Sequence, residues 1–408
     1  LNVIERPYFF LRFSKNLLPY VLPAEISEIR VGGTREFITM IGLIEEDKPM
    51  DNKQLGNSGL RVSQYALGSV PFSGTNGFEN AGGISKKELN YMIDYAIDQG
   101  INQFDTANLY AEGDAELALG KAIRNHRDEM VISSKTGFPL SDNPNFQGGT
   151  RSNIEKSIDE SLQRLGTDHI DLYYMHLWDG NVPVEETIQA MNDLIQKGKI
   201  RYWGVSNYNA WSLAQTVTKA TENNMAPPVA QQIYYTPEAR EAEYELLPAA
   251  RELGVGNSIW SPLGEGLLTG KITRENKQGQ PGTRQGDGWA EPYVKDYNLL
   301  YDLVDVLQEI ANHHQVSVPQ VTLAWLRERP NVDSLVLAAR NKEQLIDNIA
   351  SYQLQLTKDE QDKITELTQP EPLYPHWHRS MNSAELGSPA EQAYLKEFGD
   401  LMERKQQK

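Results

Sequence analysis

Four side chains in this sequence could do chemistry together: Asp105, Tyr110, Lys135 and His176. Lys135 beside Asp105 would make a buried ion pair, costly to break. A cation near a phenol favours the phenolate, which should lower the pKa of Tyr110 from its free value of about 10. Such a tyrosine can act as an acid near neutral pH. His176 adds a second donor for an oxygen on which negative charge develops. The chain has no cysteine, so thiolate nucleophiles, Cys-based metal sites and disulfides are excluded. No other residue reads as a covalent nucleophile. The set suits a reaction in which a cofactor supplies the reactive atom.

Singly, each residue says little: a lone aspartate on a strand usually caps or pairs, and a lone lysine is usually a solvated charge. What carries weight is the positions they share. Apolar or β-branched runs near 65–70, 102–107, 130–135, 170–176, 200–206, 228–234, 257–261 and 333–338 predict strands. Helical patterns alternate with them near 85–100, 114–125, 151–165, 184–197, 209–223, 240–253, 299–313 and 341–352. Runs such as Ile170-Asp171-Leu172-Tyr173-Tyr174-Met175 fit strands buried on both faces of a parallel sheet. Eight βα units in series predict an α/β fold of the (β/α)8 TIM-barrel type. An N-terminal β-hairpin around Asn57-Ser58-Gly59 precedes it. An extra helix, Pro319 to Arg329, sits before strand eight, and residues 371–408 form a C-terminal tail packing near the pocket. In such barrels the site lies at the carboxyl ends of the strands, where all four residues fall.

The formal charge of −17 argues against nucleic-acid binding and against docking on an anionic membrane. No stretch approaches the ~20 apolar residues of a membrane span. A cytoplasmic location fits the absence of cysteine. Residues 1–49 read as an N-terminal extension of doubtful relevance, since Met50-Asp51-Asn52-Lys53 resembles a start. The barrel is expected over 50–370.

Over roughly residues 53–350 the chain resembles the aldo-keto reductase superfamily, closest to bacterial members related to potassium-channel β subunits. The matching motifs are Phe104-Asp105-Thr106-Ala107-Asn108-Leu109-Tyr110, Ser134-Lys135-Thr136-Gly137, the His176 segment, Gly204-Val205-Ser206-Asn207, Trp260-Ser261-Pro262-Leu263 and Ala339-Arg340-Asn341-Lys342-Glu343-Gln344-Leu345. The resemblance implies reduction of an aldehyde or ketone by NADPH, with Tyr110 as general acid and Asp105, Lys135 and His176 completing a tetrad. It implies that Ser206, Asn207 and Gln232 hold the nicotinamide amide and that Trp260 stacks on its ring. Ser261, Pro262, Leu263, Gly264, Gly266, Lys271 and Arg284 would line the pyrophosphate. Arg340, Gln344 and Asn348 would hold the adenosine end, and an arginine at a 2′-phosphate favours NADP over NAD. By the same resemblance Ser69 would be a further cofactor contact.

The polar, Gly-rich segment from Thr273 to Tyr293 corresponds to a loop that folds over the cofactor, a mobile clasp. Phe138, Trp178 and Trp289 are expected to overhang the mouth as an apolar pocket for a small carbonyl substrate, and Trp377 of the tail to join them. His376 and His378 are too few for a metal site, and no metal is expected. The rival reading is an NADP-binding, redox-sensing regulatory subunit. Against it stand the complete tetrad, including His176 where channel subunits carry Asn, and the lack of an obvious docking arm beyond residues 1–49. A phosphate-binding barrel lyase or isomerase would share the fold alone. Oligomeric state and direction of flux are open.

Overall fold

The computed structural model describes residues 50–407 apart from 278, 280, 282, 283 and 290, together with Arg30–Val31 and Thr34–Arg35. Those last four residues pair as two short antiparallel strands within a unit of their own, Leu1–Asp47. Lys48–Lys408 is a second compact unit. The remainder of the 1–49 extension lies outside the described residues.

Eight parallel strands close into a barrel: β1 (Tyr65–Gly68), β2 (Gln103–Asp105), β3 (Val131–Thr136), β4 (Ile170–Met175), β5 (Ile200–Ser206), β6 (Ala230–Tyr234), β7 (Gly256–Trp260) and β8 (Ser334–Leu337). Each pairs with the next and β8 returns to β1, in the register Leu335 opposite Tyr65. Helices α1 (Lys86–Asp98), α2 (Asp114–Ala122), α3 (Arg151–Leu165), α4 (Val184–Gln196), α5 (Ala210–Glu222), α6 (Leu246–Glu252), α7 (Tyr297–His314), α8 (Val318–Arg327) and α9 (Lys342–Ala350) surround it. Their apolar stripes repeat at helical spacing. In α4, Val184, Thr187, Ile188, Met191 and Leu194 are buried, one face of a 3.6-residue period. The strands are covered from both sides, so β8 and nearly all of β3 are buried end to end.

The amino-terminal end of the barrel is plugged. Asn52–Gln54 pairs antiparallel with Arg61–Ser63, and the hairpin's Leu55, Leu60 and Val62 pack with Leu172, Tyr174 and Ala230. Gly56 adopts φ +55, and a Cβ there would lie 2.5 Å from the Gly254 carbonyl oxygen. Only glycine fits so close a turn. With this end filled, the opposite mouth is where strand ends are free to build a site.

Two regions depart from the sequence reading. The expected helix over 240–253 is a short 3-10 turn, Glu241–Glu243, followed by α6. Pro248 has no N–H to give and its ring opposes the carbonyl four residues earlier, so the α-helix cannot run through it from Arg240. After α10 (Lys358–Thr368), the weakly periodic tail 371–408 is helical: α11 (His376–Asn382) and α12 (Gln392–Gln406). Tyr394, Leu395, Phe398 and Leu401 give α12 one buried stripe amid charged residues, a pattern too narrow to stand out in the sequence.

The tail is fastened by buried charge. Arg240 donates to both Glu243 oxygens at 2.8 Å and to Glu397 of α12 at 2.6 Å. Arg329 donates to Glu243 at 3.0 Å and to Glu397 at 2.8 Å. Both guanidinium groups also lie over the Trp325 ring, at 5.6 and 4.9 Å from its centre.

Candidate active site

Asp105 ends β2 and Lys135 lies one residue before the end of β3, and both are buried. The lysine ammonium pairs with Asp105 and donates to the Thr106 carbonyl at 2.9 Å. Asp105 Oδ2 accepts from Ser133 Oγ at 2.8 Å and from Gln232 Nε2 at 3.0 Å. The carboxylate is therefore fully engaged. Lys135 keeps one further contact, to the Tyr110 hydroxyl at 3.2 Å.

Tyr110 is positioned by a sharp turn. Ala111 and Glu112 after it adopt left-handed φ of 51° and 53°, and Gly113 follows at 93°. Non-glycine residues there carry strain. The Tyr110 ring meets His176 edge-on at 5.9 Å, and Phe138 also meets His176 edge-on at 4.7 Å. His176 Nδ1 is buried without a partner.

The electrostatics correct one expectation. Lys135 was expected to lower the Tyr110 pKa, but burial outweighs it, and the phenol is pushed above its ordinary value. Lys135 softens this shift without reversing it. Burial alone would lower the Lys135 pKa; Asp105 and Tyr110 more than offset that and raise it, so the ammonium stays charged. Burial, then the Lys135 charge, holds His176 well below the ordinary histidine range, so its ring is neutral.

Asp105, Tyr110, Phe138 and His176 line a cleft of about 880 Å³ at the barrel mouth, with Lys135 buried behind Tyr110. On one side, Ser206 Oγ donates to the Gln232 carbonyl at 2.8 Å, Asn207 donates to Ser206 Oγ at 3.1 Å, and Trp260 Nε1 donates to Asn207 Oδ1 at 3.1 Å. Trp260 leans on Tyr234 with ring centres 4.8 Å apart. The cleft continues past Ser261, Pro262, Leu263, Gly266, Lys271 and Arg284 to Arg340, Gln344 and Asn348. The last three are set by the N-cap of α9: Asn341 accepts from the Gln344 N–H, and the Arg340 N–H donates to Gln344 Oε1 at 2.9 Å. Phe138 and Trp289 line the same cleft.

Four expected residues are placed elsewhere. Ser69 is buried beside β2, its N–H donating to the Asp105 carbonyl at 2.8 Å. Gly264 is buried in the loop whose Leu263 and Gly266 line the cleft. Trp178 is drawn into an aromatic group with Tyr208 and Trp211, at 5.1 and 5.5 Å, off the cleft wall. Trp377 is 40% exposed on α11, because the Arg240–Glu397 and Arg329–Glu397 ion pairs hold the tail against the barrel's flank. Of the expected clasp, Arg284 and Trp289 reach the cleft, while 278, 280, 282, 283 and 290 lie outside the described residues.

The sequence reading missed Ser133 and Glu265. Ser133 precedes Lys135 by two on the same strand and therefore shares its face, a legible signal. Glu265 accepts from Ser261 Oγ and pairs with Arg284.

The residues fit a dinucleotide carrying a 2′-phosphate. An aromatic face next to amide groups lies at one end and cationic side chains at the other. Between them, Gly266 adopts φ +102 and a Cβ there would meet nothing within 4 Å, leaving room for a ligand to approach the backbone.

Comparisons with known proteins agree with this geometry. The sequence model of the Aldo/keto reductase family matches residues 72–369. A probable voltage-gated potassium channel subunit beta of Oryza sativa is 33% identical over 79% of this chain and 98% of that protein. A putative subunit of the same kind from Schizosaccharomyces pombe is 33% identical over 80% of this chain and 95% of its own. An uncharacterized oxidoreductase, YrpG of Bacillus subtilis, is 34% identical over 76% of this chain and 93% of its own.

Proposed function

The chain belongs to the aldo/keto reductase family and is an oxidoreductase, and from that premise we propose that it reduces a small aldehyde or ketone with NADPH, Tyr110 delivering the proton. One observation carries the reading: Tyr110, contacted by Lys135 and meeting His176 edge-on, lines with His176 a cleft that also presents Trp260 and Arg340.

Ser206, Asn207, Gln232 and Trp260 would hold the nicotinamide. Lys271 and the 261–266 loop would hold the pyrophosphate, and Arg340, Gln344 and Asn348 the phosphorylated adenosine. Bound there, the cofactor supplies the hydride. The protein's part is to stabilise and protonate the oxygen. Burial keeps Tyr110 protonated in the resting site. As charge grows on a carbonyl oxygen beside it, the hydroxyl proton moves to that oxygen, and the adjacent ammonium of Lys135 stabilises the phenolate left behind. Asp105 fixes Lys135 in place. Neutral His176 offers one N–H to the same oxygen without adding a second cation next to Lys135.

The test is NADPH consumption with a panel of aldehydes and ketones, comparing wild type with Tyr110→Phe. Turnover that collapses in the variant while NADPH binding persists supports the reading. The channel-subunit relatives favour a second one, a regulatory protein that binds NADP without significant turnover. Tight NADPH binding with no turnover on any carbonyl would establish that alternative instead.

A further inference from the structure

Within the loop assigned above to the pyrophosphate stands a carboxylate, Glu265. Its side chain is 8% exposed and lines the cleft. One oxygen accepts the Ser261 hydroxyl, and the other pairs with Arg284, whose guanidinium also lies 5.5 Å over the Trp289 ring. Arg284 is within electrostatic reach of both Tyr110 and Arg340, which places it between the catalytic and adenosine ends of the cleft. Glu265 has a left-handed φ of 54°, flanked by Gly264 and Gly266 at +58° and +102°. Its neighbours are glycines that take this conformation freely, whereas the glutamate is strained in it. The contacts to Ser261 and Arg284 offset that strain.

An anion held by a hydroxyl and a guanidinium is also how a protein holds a phosphate. We infer that Glu265 is a built-in competitor of the cofactor's pyrophosphate: its carboxylate occupies Ser261 and Arg284 in the free protein and must release them when the cofactor binds. The Ser261 hydroxyl has a single proton to donate, so it serves either Glu265 or a phosphate oxygen. Two anions cannot share one poorly solvated cation without repulsion. Binding is then an exchange of carboxylate for phosphate. Affinity is reduced in return for easier release of the spent cofactor. The inference rests on the cofactor reading above.

The test compares NADPH affinity of wild type, Glu265→Gln and Glu265→Ala by quenching of tryptophan fluorescence, with adenosine 2′-monophosphate as a second probe. Circular dichroism checks that each variant is folded. Both variants are expected to bind NADPH about tenfold more tightly, or ~1.4 kcal/mol. Adenosine 2′-monophosphate, which has no pyrophosphate, should bind all three proteins alike. Unchanged NADPH affinity in both variants overturns the inference alone. Weaker binding overturns it as well, and makes Glu265 a clamp on bound cofactor. No NADPH binding to wild type or variants overturns the cofactor reading and this inference with it.

Discussion

At the mouth of the barrel, Lys135 and Asp105 are buried beside Tyr110 and His176; on its flank, buried Arg240 and Glu243 pair with Arg329 and with a partly exposed Glu397. Burial and pairing are alike in the two clusters, and both hold groups displaced from their ordinary pKa values. They differ in what is left over. On the flank, Tyr235, Thr365 and both glutamates share out the guanidinium donors, and all of it lies under the tail. At the mouth, His176 Nδ1 has no partner, and Tyr110 faces a cleft. Perturbed charge alone does not mark an active site. Here it is the cleft beside the perturbed groups that sets the mouth apart.

This contrast can be broken by substitution. The largest effect is expected on the flank. Glu243→Ala strands two buried guanidinium groups with one remaining carboxylate and should cost about 3–5 kcal/mol of stability. Urea unfolding reads the loss, and kcat of the folded fraction should stay within about twofold of wild type. A large fall in kcat would show that the two clusters are coupled.

Tyr110→Phe should show the reverse. Turnover should drop by about 10²–10⁴-fold, with stability changed by less than about 1 kcal/mol, because the hydroxyl has one long hydrogen bond. A variant that keeps a tenth of wild-type turnover would remove Tyr110 as the acid.

A smaller effect is set by His176. Its folded pKa lies below the unfolded value of about 6.5, so the unfolded chain binds the extra proton first as pH falls. The stability this neutral ring contributes is complete above about pH 6.5 and declines below it. From pH 6.5 to 5.5, wild type should lose up to ~1.4 kcal/mol more than His176→Gln. Parallel pH profiles would mean that His176 titrates normally.

The smallest effect tests the placement of the aromatic residues. Trp289→Ala should raise KM for a bulky carbonyl by roughly tenfold through lost apolar contact. Trp377→Ala, on the exposed helix α11, should leave KM within about twofold. Equal effects would bring the tail back to the substrate.

How much was legible follows from range. The order of the eight strands, the hairpin and the Lys135–Asp105 pair depend on local periodicity and strand ends, and the sequence displays these directly. Whether Trp178 faces the cleft or Tyr208 depends on a rotamer chosen by neighbours 30 and 33 residues away. The helical tail escaped notice because its four buried apolar residues are spread among charges. The sign of the Tyr110 shift needed the degree of burial, which motif spacing does not contain. The flank cluster joins residues 157 apart, and nothing local in Arg240 announces Glu397.

That separation has a temporal side. The ribosome makes Arg240 long before Glu397, and at ~5–20 residues per second the interval is roughly 8–30 s. Over its last part, the 68 residues from Arg329 to Glu397, the flank holds two guanidinium groups and a single carboxylate. Each newly made molecule thus passes through a stage in which its barrel has every strand, yet an unneutralised cation remains beside Trp325. Quality-control factors that recognise incomplete molecules have that interval in which to act.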